Sequence, residues 1–359
     1  MVDISCELCG LKLRSPIIAA SGVMTRDGES IARAAAGGAA AAVTKTISSA
    51  PAKVPRPCIA KVREGIISFD MLSDIPADQW ARYEMPKAKR SGIPIIASVG
   101  PGPEDVSRVA PRMVEAGAEG IEVPVPSDPD RAAELVRAAK ESVKVPVFAK
   151  LMNPLMQPDA VAREVEKSGA DAIVAAGPVG PCLSIDVESS MPMLGSPGGV
   201  GYMSGPPVKP FILKCVADVA SAVRVPVIGC GGVSSGRDIV EFVMAGAWAV
   251  QVSSGAIIRG HKVYGFLADD LIKFMRAKNY ETLGDLRGKA LHHLPKESLR
   301  TSAAPVEVIA SKCTACGLCE SSCPYGAIRV VGRLARVDPA KCYGCGLCVS
   351  LCPTHAIRF

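Results

Sequence analysis

The sequence predicts an α/β protein: a (β/α)8 barrel followed by a small C-terminal α+β domain. Three observations carry that expectation. Eight short apolar runs recur through the first 255 residues, amphipathic stretches separate several of them, and the last fifty residues change character to two matched cysteine runs. Continuous apolar runs suit strands buried on both faces, as in parallel sheets. Eight of them alternating with helical stretches suit a closed barrel, with an open doubly wound sheet as the alternative.

The runs, in order, are PIIAA (16–20), AAVTKT (41–46), PIIASV (94–99), GIEVPV (120–125), VPVFAKL (145–151), DAIVAA (171–176), VPVIGCG (225–231) and AVQVSS (249–254). Helical periodicity fills PDAVAREVEKSGA and GRDIVEFVMAGA between them. Four units share a small-residue turn before the strand: AGGAAAAV, AGAEGIEV, SGADAIV and AGAWAVQV. Two connections, Ile47 to about Gly92 and Gly177 to Val208, are too long for simple crossovers. Long insertions after barrel strands lie on the C-terminal face, where sites form. The expected domains are a barrel over 1–300, a linker over 301–311 and a small domain over 312–359.

Composition narrows the function classes. The chain has 359 residues, 48% of them hydrophobic and 4% aromatic, with a scattered net charge of +6. That mix fits a tightly packed enzyme-sized core and lacks the basic stripe of a nucleic-acid binder. No apolar run has the length of a membrane span, and MVDISCELCG has no signal-peptide pattern, so a cytoplasmic protein is expected. Fourteen cysteines in that setting read as metal ligands or buried thiols.

Cys313, Cys316, Cys319 and Cys323 follow C-x2-C-x2-C-x3-C-P, and Cys342, Cys345, Cys348 and Cys352 repeat it. This spacing lets three thiolates from one loop clasp a 4Fe–4S cluster while the fourth reaches the other cluster. Cys313, Cys316, Cys319 and Cys352 are therefore assigned to one cluster, and Cys342, Cys345, Cys348 and Cys323 to the second. Four-thiolate zinc is the alternative. From Lys312 to Phe359 the sequence resembles the bacterial two-cluster ferredoxins. Cys6 and Cys9 form a lone C-x2-C in a strand–turn–strand, and Cys58, Cys182, Cys215 and Cys230 read as core or loop thiols. The four histidines carry no motif.

The turns GCGGVSSGRD and SSGA follow the seventh and eighth strands, where barrels hold a phosphate on backbone N–H groups. Lys45 and Lys150 end the second and fifth strands. A charge at an apolar barrel mouth needs a partner: an anionic reduced flavin, or a carboxylate such as Glu122.

Through PIIAASG, TKTIS, AKLMN, SGPPVKP, IGCGGVSSGRD and VQVSSGA, residues 1 to about 300 resemble the dihydroorotate dehydrogenase family of flavin barrels. The loop LSIDVESSMPMLGSPGGVGYMSGPPVKP is similar to the dihydropyrimidine dehydrogenase branch, which also joins a barrel to a two-cluster unit. The resemblance implies FMN, with Ala20, Ser21, Lys45 and Thr46 on the isoalloxazine side and Lys150 near N1. It implies Gly205, Gly231, Gly232, Ser253 and Ser254 around the ribityl phosphate. Ser98 stands where the family has asparagine.

The substrate side departs from that pattern. Where the family carries an N-x-S-C-P-N-like stretch, this chain reads PVPSDP (124–129), with Ser127 at the catalytic cysteine position. Ser127, helped by water or Asp128, is the expected proton-transfer residue, with Lys45 beside it. The asparagine-rich segment of the first insertion has become ISFDMLSDIP (67–76), and Met71, Leu72, Met152, Met156 and Met191 hint at an apolar pocket. A pyrimidine needs paired amide donors and acceptors, so the expected substrate is a small unsaturated or ring compound other than a pyrimidine. No dinucleotide-binding G-x-G-x-x-G unit is present, so electrons are expected to pass through the clusters to or from a ferredoxin or flavoprotein partner, in a homodimer or hetero-oligomer. The alternative is a non-catalytic electron-transfer subunit.

Overall fold

The computed structural model describes residues 2–70, 72–152, 156–294 and 304–359. It divides into two compact units, Met1–Leu294 and Pro295–Phe359.

In the first unit every predicted apolar run contains a strand. They are β1 (Ile17–Ala19), β2 (Ala41–Val43), β3 (Ile95–Ser98), β4 (Gly120–Val125), β5 (Val147–Leu151), β6 (Ala172–Ala175), β7 (Val227–Cys230) and β8 (Ala249–Val252). They pair in chain order, all parallel, and β8 closes on β1. The alternative of an open sheet is excluded by that closure. The principal helices are α1 (Gly28–Ala36), α2 (Met85–Lys89), α3 (Pro103–Glu115), α4 (Pro129–Ser142), α5 (Pro158–Lys167), α6 (Lys209–Ala222), α7 (Gly236–Met244) and α8 (Val263–Ala277).

Alternation along the strands splits the core in two. One set, including Ile17, Ala42, Ile95, Ile121 and Val250, faces the helices. The other, including Ile18, Val43, Ile96, Phe148, Val174 and Ile228, fills the barrel. The hairpin Cys6–Leu8 and Leu11–Leu13 stoppers that interior from below, burying Leu8 and Leu13 against it. Its turn residue Cys9 donates its thiol to Asp171 O at 3.3 Å, and burial pushes the Cys6 and Cys9 thiols up to about 11. The lone C-x2-C is thus a packing feature.

Local chemistry starts the helices where the strands need to turn back. Asp27 accepts from Ser30 N at 2.7 Å, and Ser235 and Asp238 form a capping box at α7. Asp128 accepts from Arg131 N at 2.9 Å and caps α4. Each such cap stabilises by about 1 kcal/mol.

The two long insertions meet. Ile59–Lys61 and Ile66–Ser68 from the first join Gly201–Ser204 and Val179–Cys182 from the second in one antiparallel sheet. Gly205, at φ +99°, lets the chain pass so close that a Cβ there would lie 3.2 Å from Gly65 Cα. No described helix is long and apolar enough to cross a membrane.

Among its described residues the second unit holds four short strands: β9 (Glu307–Val308), β10 (Ile328–Val331), β11 (Leu334–Val337) and β12 (Ile357–Arg358). β9 pairs antiparallel with β12, and β10 with β11. Helices α9 (Leu318–Ser321) and α10 (Leu347–Leu351) each follow a left-handed glycine, Gly317 or Gly346. Of the linker expected over 301–311, residues 304–311 are described. Val306 is buried and Glu307–Val308 is a strand of the small unit, because an exposed β12 edge takes it as partner. Residues 295–303 lie outside the described residues.

Candidate active site

A cavity of about 530 Å³ opens at the C-terminal ends of the barrel strands, between the strand ends and the insertion sheet. Every barrel strand contributes to its wall directly or through the turn that follows it. Of the residues expected around a flavin, Ala20, Ser21, Thr46, Lys150, Gly231, Gly232, Ser253 and Ser254 line it.

At its floor lies a closed polar triad. Lys150 Nζ is 2.9 Å from Gln251 Oε1 and 3.4 Å from Glu122 Oε1, and Gln251 Nε2 donates to Glu122 Oε2 at 2.6 Å. The three come from β5, β8 and β4, and all are buried. Burial works against the Lys150 ammonium, but Cys230 and Glu122 outweigh it and raise its pKa above the usual lysine value. Burial pushes the adjacent Cys230 thiol up as well. The carboxylate weighed as an alternative partner for Lys150 is therefore present, and a group bound above the triad meets a charged lysine.

Lys45, one of the two expected catalytic residues, is ion-paired with Asp70 of the first insertion; the two side chains are 4% and 5% exposed. Asp70 lines the cavity, as do Ser68 and Leu72 from the same segment. Beside them runs a line of hydroxyls: Ser21 Oγ lies 3.4 Å from Thr46 Oγ1, which lies 2.9 Å from Ser98 Oγ. Ser98 is fully buried and reaches the cavity only through Thr46.

The end of the cavity where a phosphate is expected is built from backbone. Gly231 and Gly232 have φ of +127° and +82°, and a Cβ on Gly232 would lie 2.5 Å from Lys209 Cβ. The turn is thus held flat against α6, with Ser204, Ser253 and Ser254 also on the cavity wall. Turn amides, serine hydroxyls and a lysine on the opposite floor fit an elongated anion with a polar ring at its far end, as in FMN.

Ser127, the other expected catalytic residue, is half-buried on the loop between β4 and α4. Pro124, Val125 and Pro126 line the cavity immediately before it, and Arg131 and Glu134 line it from α4. Asp128, the expected helper of Ser127, caps α4, its Oδ1 accepting from Arg131 N at 2.9 Å. Of the apolar residues, Leu72 and Met152 line the cavity, Met156 and Met191 are exposed, and Met71 lies outside the described residues. The sequence reading missed Gln251 and Asp70. A glutamine inside a strand buried along its length was the available signal for the first.

In the small unit Cys313, Cys316, Cys319 and Cys352 line one small cavity with Val330, Ala335 and Ile357. That is the set assigned to a single 4Fe–4S cluster from the spacing. The fourth cysteines of the two runs sit alike: Cys323 Sγ accepts from Ala327 N at 3.4 Å, and Cys352 Sγ from Ala356 N at 3.2 Å. Partial burial opposes the thiolates, but these amides and their neighbours outweigh it and lower both pKa values. Thiolates in amide-rich, apolar loops suit iron–sulfur ligation.

Comparison with known proteins matches residues 3–275 to the dihydroorotate dehydrogenase family and residues 311–356 to the 4Fe–4S dicluster domain. The chain is 34% identical over 308 residues to the catalytic subunit of dihydroorotate dehydrogenase B (NAD(+)) of Methanocella arvoryzae, covering 82% of this chain and 100% of that protein. It is 34% identical to the protein of that name from Methanothermobacter thermautotrophicus (79% and 97% covered) and 36% identical to that of Methanosarcina mazei (79% and 94% covered).

Proposed function

Because the chain belongs to the dihydroorotate dehydrogenase family, we propose that it is an oxidoreductase acting on a carbon–carbon bond of a small unsaturated or ring compound that bears no carboxylate. Its cofactors are FMN in the barrel and two 4Fe–4S clusters in the C-terminal domain. FMN, when bound, supplies the exchange between hydride chemistry and single electrons. A ferredoxin or a separate flavoprotein is the proposed electron partner.

The observation that carries the substrate reading is the charge state of the cavity. Lys150, the buried lysine on its wall, is already matched by Glu122, and Asp70, which lines it too, is paired with the buried Lys45. A carboxylate entering there would lose its hydration and find no uncommitted interior cation, a costly exchange. Arg131 also lines the cavity but is exposed, so water screens its charge. Asparagine is nearly absent: the chain holds two, Asn153 and Asn279. The amide pairs that would fix a pyrimidine ring therefore have few sources.

In the oxidative direction one carbon gives up a hydride and its neighbour a proton, and the bond between them becomes double. Ser127 is the proposed proton acceptor, one residue beyond the cavity wall. Its hydroxyl is neutral at working pH and needs a water to carry the proton onward. Lys150, kept charged by Glu122, is proposed to stabilise negative charge building above the triad.

A second reading, favoured by the relatives named above, is that dihydroorotate itself is the substrate. Anaerobic reduction of the flavin by dihydroorotate, dihydrouracil and uncharged cyclic or enone-type compounds separates the two. Rapid bleaching by dihydroorotate alone overturns the uncharged-substrate reading. Ser127→Ala is expected to slow the substrate half-reaction about 100-fold and to leave flavin reduction by dithionite unchanged; equal slowing of both removes Ser127 from its role.

A further inference from the structure

The hairpin β10–β11 has two unlike faces. Val330 and Ala335 are cross-strand partners, and both line the cavity that Cys313, Cys316, Cys319 and Cys352 surround. The neighbouring pair, Arg329 and Arg336, projects from the opposite face, and Arg333 sits at the turn. All three arginines are exposed. Like charges directly opposite on a hairpin disfavour it, so this pair contributes nothing to folding.

The small unit's acids do not compensate. Residues 304–359 contain Lys312, Arg329, Arg333, Arg336, Lys341 and Arg358 against Glu307, Glu320 and Asp338. Glu307 pairs with Arg358 at 3.1 Å, Asp338 with Lys341 at 3.7 Å, and Glu320 accepts from Val330 N at 3.0 Å. Among the described residues none of the three arginines has an ion-pair partner. A repelling, uncompensated arginine face lies one strand thickness from a cluster pocket.

We infer that the outer face of β10–β11 is the docking surface for an acidic one-electron carrier protein of the ferredoxin or flavodoxin kind. The inference rests on the proposed electron path through the clusters and deepens it by locating its outlet. Complementary charge steers encounter and sets register, and it does so most strongly at low salt. A carrier seated on Arg329 and Arg336 is separated from the cluster pocket only by the side chains of Val330 and Ala335. Anionic lipid would answer to the same charges, but nothing ties a membrane to the far side of this hairpin, whereas the cluster pocket ties an electron carrier to it.

The test uses the full-length holoprotein, reduced with dithionite and desalted. It is mixed with an oxidised acidic two-cluster ferredoxin and, separately, with a basic cytochrome c. Rates are followed across ionic strength, and binding of the oxidised ferredoxin is measured by calorimetry. Arg329→Glu/Arg336→Glu is expected to slow transfer to the acidic carrier at low salt by about tenfold or more, to weaken its binding, and to speed transfer to the cytochrome. Folding and cluster content of the variant are checked by iron analysis, and Arg329→Gln/Arg336→Gln is expected to fall between. Transfer to the acidic carrier that is insensitive to salt and to charge reversal overturns the surface while leaving the electron path intact. No transfer to any protein carrier, with dithionite still reducing the chain, overturns both. Loss of binding to phosphatidylglycerol vesicles with unchanged carrier kinetics reassigns the patch to a membrane and overturns the inference.

Discussion

Lys45, two residues beyond the end of β2, is ion-paired with Asp70, which arrives from the first long insertion. The insertion is stitched back onto the strand that it left: Leu72 forms a parallel bridge with Thr46, and Ser73 N donates to Thr46 O at 2.7 Å. That return places a carboxylate between the buried lysine and the cavity, which Asp70 lines and Lys45 does not. It sets the charge a ligand meets, and the first prediction follows from it.

Asp70→Asn removes the negative charge and keeps the shape. Lys45 then becomes available to an anion. Orotate, used as a carboxylate probe and followed by flavin absorbance, is expected to bind at least ~10-fold more tightly to the variant, about 1.4 kcal/mol. An unchanged affinity means that Lys45 does not reach the ligand, and the charge argument for the substrate fails with it.

Glu122→Gln attacks the triad. It leaves the Lys150 ammonium buried without its carboxylate, and such a loss costs about 3 kcal/mol. The denaturation midpoint of the FMN-loaded variant measures it. Glu134→Gln, exposed on α4, serves as the control and is expected to stay within about 0.5 kcal/mol of the parent.

The proposed crossed ligation of the clusters predicts two variants with opposite losses. Cys352→Ser is expected to empty the site of Cys313, Cys316 and Cys319, and Cys323→Ser the site of Cys342, Cys345 and Cys348. Each is expected to lose up to about half the iron and to leave a different cluster signal in electron paramagnetic resonance. The same cluster lost in both variants rules out the crossed arrangement.

Acid stability tests Asp238. Burial opposes its charge, but Lys209 at 2.7 Å and the Ser234 N–H and hydroxyl outweigh it and lower its pKa. A depressed folded pKa makes its contribution complete above the unfolded value of about 3.9 and lost as pH falls through the folded value. Asp238→Asn is therefore expected to be less stable than the parent at pH 7, with the gap in Tm narrowing below about pH 4. A gap that persists into that range assigns the difference to hydrogen-bond geometry instead.

Much of the architecture was legible. Each of the eight apolar runs contains its strand within three residues at either end, because a strand buried on both faces has few polar positions to blur its limits. The cysteine spacing assigned Cys352 to the Cys313 loop, and that set lines one cavity. Glu122 was visible as a carboxylate within reach of Lys150. Gln251 was passed over inside AVQVSS, since one polar residue in an apolar run does not say which way it points. The capping role of Asp128 at α4 was not legible from PVPSDP, since a cap depends on where the helix starts.

Local pattern alone determined the barrel, the glycine turns on its cavity and the cysteine loops. Each depends on residues close in sequence: alternation along a strand, glycines in a turn, thiols at fixed spacing. The pairing of Lys45 with Asp70, the sheet that joins the two insertions, and the arginine face behind the cluster pocket were decided only in three dimensions. They depend on which loops return to which strands and on which face of a hairpin is buried. Those choices are set by the burial of the whole core, to which no short stretch of sequence has access.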